Sequence, residues 1–169
     1  LNVDPAENLT AIAEQQGIRS LTDFWSMDVA EKVRELYGGA DLITATNVFA
    51  HLDNVKEFIQ ACNFVLSEQG ILIIENPYLV DFIENMEFDT VYHEHVTYWS
   101  VTPMIKICSD HGLKLIDCQK QDIHGGTMRY MIAKSDSCHE IKDSVADFYN
   151  KEQIRGFNNF LAYNEWSGQ

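Results

Sequence analysis

Basic residues are scarce in this chain: 12 Lys and Arg stand against 26 Asp and Glu, a formal charge of −14. A field of that sign repels phosphate backbones over roughly a Debye length, about 8–10 Å at ordinary ionic strength, which makes nucleic acid a poor partner. One phosphorylated small molecule stays admissible, because a single Arg or a helix N-terminus overrides the global field locally. Long apolar runs are also lacking. No stretch of about 18 apolar residues occurs, so no membrane span is expected. The opening LNVDPAENLT has no basic flank followed by an apolar core, so a secretory signal is not expected and a cytoplasmic setting is. Cys62, Cys108, Cys118 and Cys138 lie at least ten residues apart with no CxxC pair. That spacing favours reduced structural thiols over a zinc cluster or a disulfide framework. Repeats and low-complexity tracts are absent as well.

What is present is an ordinary soluble composition, 46% hydrophobic and 22% charged over 169 residues, enough for a domain with a real core. LNV reads as a strand edge closed by Asp4-Pro5. Leu9, Ile12 and Ala13 recur at helical spacing between Ala6 and Gln16, and Gly17 supplies a stop. A short strand is expected within 18–24. MDVAEKVRELY (27–37) puts Val29, Val33, Leu36 and Tyr37 on one stripe before Gly38-Gly39. DLITATNVF then has the short, β-branched run of a buried parallel strand. Asp53 is the expected cap of a helix striped by Val55, Phe58, Ile59, Cys62 and Leu66, and ILIIEN after Gly70 is a second buried strand. Residues 78–90 mix helix and loop. A helix from about Thr102 to His111 precedes LKLIDCQ and TMRYMIA, two strands joined through HGG as an antiparallel addition. The tail 141–169 carries Phe148, Tyr149, Phe157, Phe160, Tyr163 and Trp166 at helical spacing. Alternating strands and helices predict an α/β fold, a doubly wound and mostly parallel sheet with helices on both faces. Ligands sit beyond the carboxyl ends of such strands, where Asp4, Asn47 with His51, and Glu75-Asn76 fall.

Each candidate has a plainer alternative. Asp4 accepts both hydroxyls of a ribose or caps the helix at Pro5. Asn47 and His51, at a strand tip, orient a carbonyl or hydroxyl, or His51 is a solvated loop residue. In VYHEHVTYWS, His93 and His95 share one strand face, which suits two metal ligands with Glu94 or His51 as a third. The same residues also suit proton transfer, with His95 titrating near neutrality, Glu94 holding its tautomer and Tyr92 donating to an oxyanion. A polar edge strand is the third reading. In HGGTMR, His124 precedes Gly125-Gly126, which permit close backbone approach, and Arg129 has the fork to meet a phosphate; a hairpin turn is the plainer reading.

Taken in order, VDPAEN, GGADLITATNVFAHLDNV, GILIIENPYL, FDTVYHEHVTYWS and HGGTMRY resemble the S-adenosylmethionine-dependent sugar C-methyltransferases, enzymes that act on nucleotide-linked 4-keto sugars. The likeness runs from Leu1 to about Lys134, and NxxxH, YHEHxxY and HGG[ST]xR in combination are its specific part. It implies a Rossmann-like methyltransferase sheet with S-adenosylmethionine as cofactor. Asp4 would hold the ribose, Asp23, Phe24 and Trp25 would meet the adenine, and Asn47 and His51 would line the site of methyl delivery. His95 would be the base with Glu94 its partner and Tyr92 a donor, while Tyr98, His124, Gly125 and Arg129 would border the sugar. No catalytic metal is implied. Zinc belongs only to a cysteine-rich domain expected before Leu1, together with the first strand and its glycine-rich loop. The chain is therefore expected to be an internal fragment, with residues 1–136 as the methyltransferase core and 137–169 as the start of a helical substrate domain; pairing into a homodimer through the uncovered sheet is left open. All of this requires the histidine segment to fold back over the strand tips, bringing His95 to Asn47 and His51.

Overall fold

A computed structural model describes residues 1–88, 91–123, 125–157, 159 and 163. The order is β1 (Asn2–Val3), α1 (Glu7–Gln15), β2 (Ser20–Leu21), α2 (Met27–Tyr37), β3 (Ala40–Thr46), a 3₁₀ turn (Phe49–His51) and α3 (Val55–Val65). Then come β4 (Leu66–Pro77), α4 (Leu79–Glu84), α5 (Val101–Asp110), β5 (Leu113–Gln121), β6 (Thr127–Lys134) and α6 (Asp143–Ile154). Among the described residues no helix is long and apolar enough to cross a membrane.

Local chemistry explains most boundaries. Ser26 caps α2 by accepting from the Val29 N–H, and Gly38 at φ +79° ends it. Asn54, rather than the expected Asp53, caps α3: its side chain accepts from the Glu57 N–H and donates back to the Glu57 carboxylate. Val29, Ala30 and Val33 of α2 pack with Ala61 and Val65 of α3, and against this cluster lie Val3, Leu21, Ala40 and Ile43. Those contacts tie the short β1/β2 ribbon to the rest of the molecule.

The larger sheet has the order β3-β4-β6-β5, with β3/β4 parallel and both pairings of β6 antiparallel. One parallel pairing is thus joined to an antiparallel hairpin, and the hairpin is threaded so that its second strand touches β4. Leu72, Ile74, Met128, Tyr130 and Ile132 are fully buried on one face. That face shares its core with α3, α5 and α6 through Phe58, Ile59, Met104, Cys108 and Val145. The other face is only partly covered among the described residues: Ile71, Ile73 and Met131 are half-buried and Leu42 is 59% exposed. β1 pairs only with β2 and β3 only with β4 among the described residues. A cavity of about 380 Å³ lies between the two unpaired edges, lined by Leu1–Val3 on one side and Ala40 with Leu42–Ala45 on the other.

Candidate active site

β3 stops at Thr46, and Asn47 turns the chain with φ +53°, its N–H held by the Glu75 carbonyl at 2.8 Å. A non-glycine residue in the left-handed region costs about 1–2 kcal/mol, and such strain concentrates at functional sites. The 3₁₀ turn follows. Phe49, fully buried, is its anchor, with ring centroids 5.6 Å from Phe58 and 4.7 Å from Trp99. With Phe49 pinned inward, His51 two residues on is left at the surface.

The histidine segment comes back onto this turn. Val96 and Thr97 both donate their N–H groups to the Ala50 carbonyl, at 3.0 and 3.2 Å. His51 Nδ1 lies 2.7 Å from the Glu94 carbonyl oxygen. A carbonyl only accepts, so Nδ1 carries the proton, and in the neutral ring Nε2 keeps its lone pair. The His51 and His95 ring centroids are 5.0 Å apart, and Tyr92 Oη sits 3.1 Å from His95 Nε2. Tyr98 packs between His95 and Phe82, at 5.9 and 5.2 Å.

Residues 92–95 form a turn closed by the His95 N–H on the Tyr92 carbonyl, not the expected strand. In a strand His93 and His95 would share a face; in a turn positions one and four meet, so Tyr92 reaches His95 while His93 swings outward, 91% exposed. The Glu94 carboxylate also faces solvent, 4.0 Å from His93 Nε2. It is the Glu94 carbonyl, on His51, that enters the cluster. Among the described residues no group of three His, Cys, Asp or Glu side chains has an arrangement that would hold a metal ion.

At the tips of β4 and β6, Arg129 Nε donates to Glu75 Oε2 at 2.7 Å, so the guanidinium expected to meet a phosphate is already half engaged. Gly125 and Gly126 hold φ values of +78° and +134°. A Cβ on Gly125 would collide with the Glu87 carboxylate and one on Gly126 with that of Asp81. Tyr78 donates to the Gly126 carbonyl and Asn85 to that of Gly125, fastening this loop to α4. His124 lies outside the described residues.

The residues expected to hold an adenosyl cofactor are spread over the ends of β1, β2 and β3. Asp4 closes β1, with one carboxylate oxygen accepting from the Ala6 N–H at 2.8 Å, so both the capping and the diol readings have an oxygen to use. Asp23 accepts from the Phe24 N–H, and the Phe24 ring is 73% exposed. Trp25 Nε1 is buried without a nitrogen or oxygen partner and its ring lines the cavity beside β3. A diol acceptor, an open aromatic face and an indole beside the cavity fit a nucleoside in chemical type.

Sequence reasoning missed the buried carboxylates. Glu152 of α6, 1% exposed, accepts five hydrogen bonds from Tyr78 and residues 100–102. Asp117 accepts from Lys142, Ser144 and Gln119, and Asp81 pairs with Lys120 at 2.8 Å. Nothing in KEQI announces a buried acid, since every partner of Glu152 is about 50 or more residues away. Cys62, Cys108 and Cys118 are free and buried, and burial pushes Cys108 and Cys118 up to about 12, which suits inert packing thiols.

A family model for a methyltransferase domain matches residues 1–117. The C-methyltransferase NovU of Streptomyces niveus is 30% identical over 167 residues, 99% of this chain and 40% of that protein. The chain thus spans about 40% of the length of this curated relative. Magnesium protoporphyrin IX methyltransferase from Synechocystis, solved with bound SAH, superposes with a TM-score of 0.57 at 14% identity, over 79% of this chain and 63% of that one. A SAM-dependent methyltransferase from Anabaena variabilis gives 0.58 at 13%, over 78% and 66%. At such identities the likeness is one of fold: an α/β methyltransferase sheet with an antiparallel end.

Proposed function

The chain belongs to the methyltransferase domain family, and from that premise we propose S-adenosylmethionine-dependent C-methyl transfer to a nucleotide-linked keto sugar, with a carbon nucleophile made by proton removal at His95. The observation that carries this reading is the His51/His95 pair, 5.0 Å between ring centroids, at the tip of β3. The name of the Streptomyces niveus relative supports carbon as the acceptor, and the NxxxH, YHEHxxY and HGG[ST]xR motifs support a keto sugar.

S-adenosylmethionine, when bound, supplies an electrophilic methyl group on sulfur, so the protein contributes positioning and proton handling. Asp4, Asp23, Phe24, Trp25 and Asn47 would hold it. His95 takes the proton from the carbon beside the substrate carbonyl. As the C–H electron pair moves toward that carbonyl, the growing charge on its oxygen is met by the Tyr92 hydroxyl. Tyr98 borders the sugar with the Gly125-Gly126 turn, and the Arg129 NH₂ groups left over from Glu75 are donors for its oxygens. Residues 1–136 would form the core, 137–169 the start of a substrate-binding part, and two copies would pair as a homodimer.

A second assignment exchanges the two rings. The Glu94 carbonyl fixes the proton of His51 on Nδ1, which leaves Nε2 ready to accept. Solvent deuterium exchange into the keto sugar separates the two. His95→Ala is expected to slow exchange and methylation about 10²–10⁴-fold while S-adenosylmethionine binding, measured by calorimetry, is retained. Retained exchange in His95→Ala with its loss in His51→Ala would transfer the role of base to His51, and methylation unaffected by both changes would end the proposal.

A further inference from the structure

Glu152 is the most heavily hydrogen-bonded side chain of the described residues that neither the site nor the family match has accounted for. It lies in α6, beyond the matched residues 1–117. Its Oε1 accepts from Tyr78 Oη at 2.8 Å and the Val101 N–H at 2.7 Å. Its Oε2 accepts from Ser100 Oγ at 3.0 Å, the Thr102 N–H at 2.8 Å and Thr102 Oγ1 at 2.6 Å. α5 has no side-chain cap of its own; Ser100, at the capping position, turns its hydroxyl to Glu152 instead. The positive end of one helix is therefore closed by an acid from another.

What Glu152 grips is the exit of the histidine segment. Residues 96–102 are fixed at two points, at Val96 and Thr97 by the Ala50 carbonyl and at Ser100–Thr102 by Glu152. Between them Trp99 wedges against Phe49 and accepts the Leu79 N–H on its carbonyl. The same carboxylate holds Tyr78, which follows directly on the end of β4. One buried acid thus sets the spacing between the β4 tip and the segment that carries His95 and Tyr98.

We propose that Glu152 is a positioning residue for the His51/His95 pair, so that α6 supplies the alignment of a site it does not itself enter. This rests on the reading of that pair as the proton-transfer groups. A shift of about 1 Å in such groups costs on the order of 10²-fold in rate, so the effect belongs in kcat and in the ring environments rather than in cofactor affinity.

The test compares Glu152→Gln with Asp117→Asn, which loosens the buried β5 acid that holds Lys142 and Ser144 at the start of α6 without touching residues 100–102, in the natural polypeptide carrying this sequence. Imidazole ¹⁵N–¹H spectra are expected to move for His51 and His95 in Glu152→Gln, with His111 and His139 unmoved, and to stay in place for all four in Asp117→Asn. kcat is expected to fall at least about tenfold in Glu152→Gln, with S-adenosylmethionine affinity kept within about twofold. Thr102→Val, which deletes one donor of the five, gives a smaller displacement of the same two rings and serves if Glu152→Gln does not fold. Unmoved His51 and His95 signals in a folded Glu152→Gln or in Thr102→Val, or equal movement in Asp117→Asn, would overturn the proposal. A wild-type protein with no turnover on keto sugars would defeat only the proposed reaction, because the spectra still decide the positioning.

Discussion

Asn47 is held in a backbone shape that asparagine tolerates and most residues resist. Asn47→Gly is expected to leave stability unchanged or raise it by up to about 1 kcal/mol, and Asn47→Ala to lower it by about 1 kcal/mol, as read by urea unfolding. Under the proposed reaction, loss of turnover in the stable Asn47→Gly protein marks the side chain, and not the turn, as the working part. Asp117 gives a pH signature. Burial pushes its carboxyl up, but hydrogen bonds from Lys142, Ser144 and Gln119 outweigh that and hold it below the usual carboxylate range. A folded pKa below the unfolded value means stabilisation that is complete above about pH 4 and is lost as pH falls through the folded pKa. The gap in melting temperature between wild type and Asp117→Asn is therefore expected to be full at neutral pH and to close below about pH 4. At this scale the meeting of His51, Tyr92 and His95 was legible because rare residue types clustered in short motifs. Glu152, Asp117 and Asp81 were not, because a buried acid is identified by its partners, and those come from other elements.

The elements themselves were legible where one periodicity ruled. α2 and α3 follow from their apolar stripes, and the β5/β6 hairpin from its two short apolar-rich runs on either side of HGG. β4 starts at Leu66, five residues before ILIIEN, because Ser67–Gln69 are polar and bear no alternation; Leu66 pairs with Ala40 across a register shift. The turn at 92–95 was read as a strand for a like reason, since period two in HEH mimics alternation over too few residues to decide. The 3₁₀ turn depends on one side chain. Phe49→Ala is expected to cost about 3–5 kcal/mol and to release the Ala50 carbonyl from Val96 and Thr97, observable as lower urea stability together with loss of the His51–His95 nuclear Overhauser contacts.

For the whole molecule, the alternation of strands and helices announced an α/β sheet, but the division into a two-stranded ribbon and a four-stranded sheet was not readable from alternation, which gives the order of elements and not their neighbours. The open edges of β1 and β3 face a cavity lined largely by apolar side chains, and exposed edges of this kind invite pairing. Self-association is opposed by the charge of −14. Sedimentation velocity is therefore expected to find more dimer as salt rises and screens that charge, and Leu42→Lys is expected to suppress it; a single monomeric species at every salt concentration would show that these edges are not adhesive.

The ribbon that ends in Asp4 is joined to the larger sheet by side-chain packing and not by a continuous ladder of amides. A seam of that kind makes the ribbon the first part to breathe, with the amides of β1 and β2 trading hydrogen for deuterium well before those of β6. A nucleoside gripped by Asp4 on one bank and Asn47 on the other would act as a strut across the seam, slowing that exchange in the ribbon while leaving β6 as it was.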